Sequence, residues 1–329
     1  MDVNRHNGGR RRSRPWASVS WWHSLILPAP FILLLLLLSL PPSDGHDGVV
    51  GPAPGAGFDS PVSIVTPTAS VASPEASEHS PPVITARVAL AVDLTSGAAL
   101  FEREAHTQVA PASTMKIVTA LVAGDILDLE EEVSIEPSDL ILADDYSKMG
   151  LELGDVVTVD ALLHGTLLSS GGDSALALAR VSGLRLDPST QDPVGRFVDE
   201  MNAYAAHHGM SGSHFSNPVG IDSVDHYVTA WDMLRATQRL LADPILAEIA
   251  AMPDAIVPID GSNPRDLYLV STNQFVLDGE SFGVKTGSTD NAGECLLNAT
   301  WIGDHRVVTI IMGSVDRYAD TQTLLDFIG

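Results

Sequence analysis

The chain has 329 residues, of which 45% are hydrophobic and 18% charged, and its formal net charge is −24. This length permits one or two domains with a sizeable buried core. The acidity argues against nucleic acid as a partner, since phosphate binding needs clustered Lys and Arg side chains. We attribute the acidity instead to solubility or to the habitat of the source organism.

The first forty residues carry a targeting pattern. Residues 1–20 include four closely spaced arginines and are predicted to stay in the cytoplasm. Residues 21–40 are apolar and contain six consecutive leucines, and twenty helical residues of about 1.5 Å each just cross a hydrocarbon core of about 30 Å. We predict a single membrane anchor with the rest of the chain on the extracytoplasmic side. A cleaved signal peptide, which would give a secreted protein, is the alternative that Pro28 and Pro30 favour.

Residues 41–82 are rich in Pro, Ser, Ala, Gly and Val and show little periodic pattern. This composition predicts an extended or flexible tether. Residues 83–329 carry the periodic patterns of a folded domain, so we expect one catalytic domain there.

Strand-like and helix-like segments follow one another in that domain. Strands are predicted at 84–92 and 98–103, helices at 111–123, 158–168, 174–181 and 193–208, strands at 282–286, 294–302 and 306–312, and a closing helix at 318–328. Strands at both ends with helices between them predict an α/β domain. Its antiparallel sheet would be built from both termini, with an all-helical insertion in the middle.

The first candidate site is the segment Ser113-Thr114-Met115-Lys116. A serine hydroxyl is a weak nucleophile and needs an adjacent base. A serine and a lysine three residues apart at a helix start lie on one face, so Lys116 can reach the Ser113 hydroxyl. The free backbone N–H groups of the helix start favour a developing anion.

Two more segments fit the same cleft. Lys285-Thr286-Gly287 follows a strand-like run, where a lysine and a hydroxyl can bind a carboxylate and a glycine lets a substrate backbone come close. Ser170-Gly171-Gly172 breaks two helices and can present a hydroxyl. The chain has three lysines, Lys116, Lys148 and Lys285, beside fifteen arginines. Two of the three lie in these motifs. Because lysine can lose its proton and arginine cannot, this choice indicates that the side chain must be able to give up a proton.

An SxxK segment, a serine-bearing loop and a KTG segment, in this order, are typical of penicillin-binding proteins and class A β-lactamases. From about residue 83 onward the chain closely resembles the serine-type D-alanyl-D-alanine carboxypeptidases, the low-molecular-weight penicillin-binding proteins. The segments that carry the resemblance are Pro111 to Lys116, Ser147 to Leu151, Phe215 to Pro218, Gly283 to Gly287, Asn291 to Gly293 and Leu324 to Phe327.

The resemblance implies a penicillin-recognising serine-transferase fold with about five strands. It also implies substrates and inhibitors: peptidoglycan stem peptides ending in D-Ala-D-Ala, and β-lactams that react covalently. No cofactor is expected. The roles it implies are nucleophile for Ser113, base for Lys116, proton relay for Ser170, carboxylate binding for Lys285 and Thr286, and oxyanion binding by the backbone N–H groups of Ser113 and Ser288. Arg317 resembles an arginine of the family, without an assigned role.

One departure from the family pattern stands at Gly172, where the family usually has asparagine. Glycine supplies no side-chain amide, so its task would fall to water, to Asp173 or to nothing. A non-catalytic penicillin- or peptidoglycan-binding homologue is therefore the main alternative. A β-lactamase is a further one, although the Glu-x-x-Leu-Asn pattern of a deacylating carboxylate is absent between the second and third motifs.

The cysteine and the histidines are rival candidates for the chemistry. Cys295, the single cysteine, lies in an apolar run and is interpreted as a small buried hydrophobe. Histidine is the usual base, but no His-Glu-x-x-His or similar metal spacing occurs. We interpret His214 as structural; its neighbours in sequence are His207, His208 and His226.

Two charged features are given no catalytic role. Asp139, Asp144 and Asp145 are interpreted as a solvated acidic face. Lys148 is assigned either to the cleft rim or to the surface.

Overall fold

The computed structural model describes residues 80–143 and 146–329. The predicted cytoplasmic segment, the predicted anchor and nearly all of the predicted tether lie outside these residues. None of the helices in the described part has both the length and the apolar character that crossing a bilayer requires.

Nine strands and eight α-helices make up the described part. The strands are β1 (Val88–Asp93), β2 (Ala99–Arg103), β3 (Glu132–Ser134), β4 (Asp155–Thr158), β5 (Asp254–Gly261), β6 (Arg265–Val270), β7 (Val284–Thr289), β8 (Gly293–Ile302) and β9 (His305–Ser314). The helices are α1 (Lys116–Ile126), α2 (Val159–Leu167), α3 (Gly172–Leu186), α4 (Pro193–His207), α5 (Ala230–Ala242), α6 (Pro244–Ala251), α7 (Gln274–Leu277) and α8 (Arg317–Ile328).

The main sheet has five strands in the order β2-β1-β9-β8-β7, and every neighbouring pair is antiparallel. Its strands come from both ends of the domain, as the sequence predicts. The β8–β9 hairpin pairs Ile302 with His305, so its turn falls at Gly303-Asp304. The predicted fold class is therefore confirmed.

The region inserted between β2 and β7 is not built from helices alone. It also contains a second sheet of four strands, in the order β3-β4-β5-β6, which corrects the expectation of an all-helical insertion. Strands β3 and β4 have only three and four residues, too few for a clear alternating pattern. Pro258 lies within β5, and a proline normally lowers the expectation of a strand.

The central part of the main sheet is buried on both faces, while the edge strand β2 is largely exposed. On β1, Val88 and Leu90 point into the large core shared with the inserted helices. Ala89 and Ala91 point to the other face, where Leu324 of α8 covers them. Successive strand side chains face opposite sides, so the small alanines let α8 pack close to the sheet. The closing helix thereby brings its N-terminal residue, Arg317, to the edge of β7 and β8.

Asp139 does not lie on a solvated face, which corrects that interpretation. Its side chain is buried, and its two oxygens accept hydrogen bonds of 2.8 Å each from Nε and Nη2 of Arg180 on α3. A two-pronged guanidinium–carboxylate pair satisfies a buried charge. The partner is 41 residues away in sequence, so no local pattern reveals it. Asp144 and Asp145 lie outside the described residues.

Candidate active site

Ser113 and Lys116 meet at the start of the first helix. The predicted helix start is a short 3-10 turn, Ala112–Met115, and α1 begins at Lys116. Residues three apart eclipse one another in a 3-10 turn, so the lysine side chain stands over the serine. Nζ of Lys116 lies 2.9 Å from Oγ of Ser113. The predicted proximity of nucleophile and base is present.

Two glycines allow other segments to press against the backbone of Ser113. A Cβ on Gly287 would lie 2.8 Å from the backbone nitrogens of both Ser113 and Thr114. A Cβ on Gly220 would lie 2.2 Å from the carbonyl oxygen of Ala112, and Gly220 also has a φ of +91°. Any larger residue at either position would push the nucleophile out of place. The KTG glycine is therefore needed to seat the nucleophile, in addition to its predicted role towards substrate.

Lys116 is held in a state from which it can accept a proton. Its side chain is buried, and burial lowers its pKa to about 7, against an opposing influence from the carboxylate of Asp173. A buried ammonium loses hydration, which favours the neutral amine. A pKa near neutrality suits a general base that works at neutral pH.

Lys285 lies beneath the cleft. It is 1% exposed, and its Nζ donates a hydrogen bond of 3.0 Å to the carbonyl oxygen of Thr286. Its pKa is well below the usual range because of burial first, and then because of the nearby charges of Lys116 and Arg317. The charge of Lys116 therefore helps to lower the pKa of Lys285, whereas burial is the main cause of the lowered pKa of Lys116.

An open cleft of about 620 Å³ lies above the two buried motif lysines, and neither of them is among its lining residues. We call this buried lysine layer the floor of the site. One side, the sheet wall, consists of Thr286, Gly287 and Ser288 of β7. The other side, the helical wall, consists of Ser147 and Ser170. Ser113 lies between them, and the remaining lining residues are Thr272, Glu294, Val315, Asp316, Arg317 and Tyr318. The structure therefore brings all three predicted motifs to one cleft.

An adjoining recess of about 340 Å³ shares Ser113, Ser147 and Ser288 with the cleft. Asp222 and Asp290 also line this recess. Ser113 therefore borders both the cleft and the recess.

The second motif folds as the loop between α2 and α3. Ser170 has a φ of +59°, a left-handed conformation that costs a non-glycine residue roughly 1 kcal/mol or more. Its side chain is nearly buried and reaches the cleft. The strained conformation is held by the hydrogen bond from the N–H of Gly171 to the carbonyl of Gly165, at 2.8 Å.

Leu142 fills the space at Gly172. A Cβ on Gly172 would lie 2.2 Å from Cδ1 of Leu142 and 3.3 Å from the carbonyl oxygen of Ser147. The N–H of Gly172 donates to that same Ser147 oxygen at 2.8 Å. An asparagine here would require Leu142 to move. Leu142, thirty positions earlier in sequence, thus fills space that the side chain of the usual asparagine would need.

Asp173 fixes the helical wall. Its buried carboxylate accepts hydrogen bonds from the backbone N–H groups of Met149, Gly150 and Leu151, at 2.8, 3.0 and 3.1 Å. These bonds anchor the segment that directly follows the cleft residue Ser147 in sequence. Asp173 also favours the protonated form of Lys116. Asp173 was one candidate to take over the task of the asparagine amide that Gly172 lacks, and its charge does act on Lys116.

Arg317 and Glu294 add a charge pair that sequence reasoning left without a role. Oε2 of Glu294 accepts from Nε of Arg317 at 3.1 Å and from its backbone N–H at 3.0 Å. Nη1 of Arg317 donates to the carbonyl oxygens of Gly287 and Cys295, at 2.9 and 3.0 Å. The guanidinium therefore braces β7 against β8 while lining the cleft.

Glu294 and Thr272 were not among the predicted site residues. The register pairs Ser288 with Glu294 across the β7–β8 hairpin, and the short turn before Gly293 could have placed this glutamate opposite the third motif. Thr272, whose Oγ1 lies 2.6 Å from that of Thr286, comes from a loop that gave no sequence signal.

The rival nucleophile and bases lie elsewhere. Cys295 is fully buried, and burial raises the pKa of its thiol to about 11, which confirms its interpretation as a core residue. Of the described residues, those that line the cleft and the recess include no histidine. Nδ1 of His214 is 2.6 Å from the carbonyl oxygen of Asp225, as a structural role requires. No group of three or more His, Cys, Asp or Glu side chains in the described part could hold a metal ion.

A family model for D-alanyl-D-alanine carboxypeptidase matches residues 75–316. The chain belongs to this family. The resemblance drawn from the three motifs is confirmed, and the match includes Ser113, Lys116, Ser170 and Lys285.

Relatives within the D-alanyl-D-alanine carboxypeptidase family are moderately similar. DacB2 of Mycobacterium tuberculosis is 32% identical over 246 residues, which are 72% of this chain and 80% of that protein. DacF of Bacillus subtilis is 28% identical over 253 residues, 74% of this chain and 61% of that protein. The chain therefore spans less than two thirds of the Bacillus relative.

Solved structures of family members share the fold. The crystal structure of a Streptomyces DD-transpeptidase matches with a TM-score of 0.71 and 28% identity, over 75% of this chain and 98% of that chain. A D-alanyl-D-alanine carboxypeptidase from M. tuberculosis matches with a TM-score of 0.64 and 29% identity, over 75% of this chain and 91% of that chain.

Proposed function

We propose that the protein is a serine-type D,D-peptidase that cleaves peptidoglycan stem peptides at a terminal D-Ala-D-Ala through an acyl-enzyme on Ser113. The observation that carries this proposal is the 2.9 Å approach of a buried, deprotonatable Lys116 amine to the Ser113 hydroxyl. Membership of the D-alanyl-D-alanine carboxypeptidase family supports the choice of substrate.

In the first step Oγ of Ser113 attacks the carbonyl carbon between the two D-Ala residues, and its proton passes to Nζ of Lys116. The backbone N–H groups of Ser113 and Ser288 would receive the developing oxyanion, where one such donor typically contributes about 3 kcal/mol. The tetrahedral intermediate then collapses, the C–N bond breaks, and the departing D-Ala amine takes up a proton that Ser170 can help relay. Water releases the acyl group and restores Ser113.

The end of the cleft beside Thr286 would hold the terminal D-Ala. Lys285 acts there from below, through its hydrogen bond to the Thr286 carbonyl. Thr286 lines the cleft itself, and its Oγ1 lies 2.6 Å from that of Thr272, which also lines the cleft. Direct contact with a substrate carboxylate therefore falls to Thr286, with Lys285 as support.

The test measures D-Ala released from a synthetic peptide ending in D-Ala-D-Ala by the natural protein and by Ser113→Ala. We expect release by the natural protein and loss of release in the variant, with both showing the same unfolding temperature. Release that persists in Ser113→Ala would refute the assignment. No release by either would favour a non-catalytic binding protein, and rapid hydrolysis of penicillin without peptide cleavage would favour a β-lactamase.

We also propose that the protein acts on the extracytoplasmic side of the membrane, held there by residues 21–40, because its substrate lies there. The supports are the four closely spaced arginines before this segment and its run of leucines. Cell fractionation with mass measurement of the N-terminus tests it: an intact N-terminus in the membrane fraction is expected. A protein shortened by about forty residues would indicate a cleaved signal instead.

A further inference from the structure

The charged residues of the cleft do not favour an anion, although the proposed substrate ends in a carboxylate. Of the described residues that line the cleft, Arg317 is the single cation, while Glu294 and Asp316 are anions. Lys285 does not line the cleft. Its hydrogen bond to the Thr286 carbonyl directs the amine to the backbone.

Arg317 already forms an ion pair with Glu294. A single carboxylate oxygen accepts hydrogen bonds from both Nε and the backbone N–H of Arg317. Nη1 is committed to two backbone carbonyls, those of Gly287 and Cys295. A guanidinium binds a carboxylate best through two parallel N–H groups. Nε belongs to one such pair, and it already donates its hydrogen bond to Glu294. A substrate carboxylate would have to share the cation with Glu294.

The ion pair is also well held. Arg317 is 12% exposed in its side chain, whereas Glu294 is 37% exposed and faces the cleft. Glu294 lies at a β-bulge of β8, opposite Ser288 of the sheet wall. Bulges next to active sites re-aim side chains, and this one sits where the glutamate meets Arg317.

We propose that Glu294 is a specificity-determining residue: it offsets the charge of Arg317, so the cleft gives little preference to a free terminal carboxylate. The substrate class then includes D-Ala peptides whose leaving group is amidated or extended, as in a cross-linked stem peptide, beside those ending in free D-Ala. This inference rests on the proposed function and names the substrates of that same site.

The experiment compares two acyl donors that differ at one position, a peptide ending in D-Ala-D-Ala as the free acid and the same peptide as its C-terminal amide. We expect the natural protein to prefer the acid by less than about tenfold in kcat/KM. Removing the glutamate charge with Glu294→Gln should raise that preference by about threefold to fivefold, mainly through a lower KM for the acid. The glutamine keeps an oxygen that can still accept from the Arg317 backbone.

Glu248→Gln is the matched control, since it removes one negative charge from the exposed face of α6, outside the cleft lining. It should leave the acid-to-amide ratio at the natural value. A natural preference for the acid above about a hundredfold would overturn the inference, and this measurement decides the question even if Glu294→Gln does not fold. An unchanged ratio in a folded Glu294→Gln would also overturn it. If the natural protein cleaves neither donor, the proposed function itself fails.

Discussion

The two walls of the cleft are built in different ways. The sheet wall is part of a regular antiparallel ladder, in which β7 pairs with β8 over six residue pairs and Arg317 braces both strands. The helical wall is a loop, and it is held by one buried carboxylate, Asp173, and by the bond from Gly172 to Ser147.

The difference shows where a substitution can be absorbed. Gly287 on the sheet wall has no free space, because a Cβ there would meet the backbone of the nucleophile. Gly172 on the helical wall faces the end of a leucine side chain, Leu142, which can take another rotamer more cheaply than a backbone can move. The departure from the family pattern lies in the wall that tolerates change.

The largest effect should come from the floor between the walls. In the proposed mechanism Lys116 is the group that accepts the Ser113 proton, whereas the walls hold the substrate and, through Ser170, help to relay a proton. Lys116→Arg keeps a positive charge but cannot accept a proton, so penicillin acylation should slow by about 10²- to 10⁴-fold. Rapid-quench labelling with a fluorescent penicillin measures this rate, and a variant that kept the natural rate would show that Lys116 is not the base.

The dependence of the acylation rate on pH tests whether Asp173 of the helical wall influences the pKa of Lys116 beneath the cleft. Because the base must be neutral and the pKa of Lys116 is about 7, the acylation rate should rise up to about that pH and then level off. Below it, the rate should fall by about tenfold per pH unit as the amine gains a proton.

Asp173→Asn should move that midpoint to lower pH. Removing the negative charge takes away the influence that raises the pKa of Lys116, so the protonated amine becomes less stable. A merely structural loss would lower the rate at every pH and leave the midpoint in place. Glu152→Gln, which changes an exposed carboxylate near the same segment, serves as the control and should keep the natural midpoint.

The smallest effect is expected from restoring the family residue. Gly172→Asn alone should change acylation by less than about tenfold and lower the unfolding temperature, because its Cβ overlaps Leu142. Gly172→Asn combined with Leu142→Ala provides the space and should acylate faster than either single variant. If the double variant gains nothing over Gly172→Asn, Leu142 is not what compensates for the glycine.

Local spacing made much of this site predictable. Ser113 and Lys116 are neighbours within one helical turn, and the third motif lies on β7, which has a strand-like sequence. The small sheet was missed because β3 and β4 are too short for a pattern and β5 contains Pro258. The pairs Leu142–Gly172 and Glu294–Arg317 join residues 30 and 23 positions apart, so they depend on the tertiary fold, which no window of sequence contains.

The covalent product is the most direct test of the whole account. The natural protein is incubated with benzylpenicillin, digested, and its peptides are sequenced by mass spectrometry. We predict a single penicilloyl group on the peptide that contains Ser113, formed faster above pH 7 than below it. A protein that stays unmodified, or a label on Ser147, Ser170 or any other residue, would contradict the account.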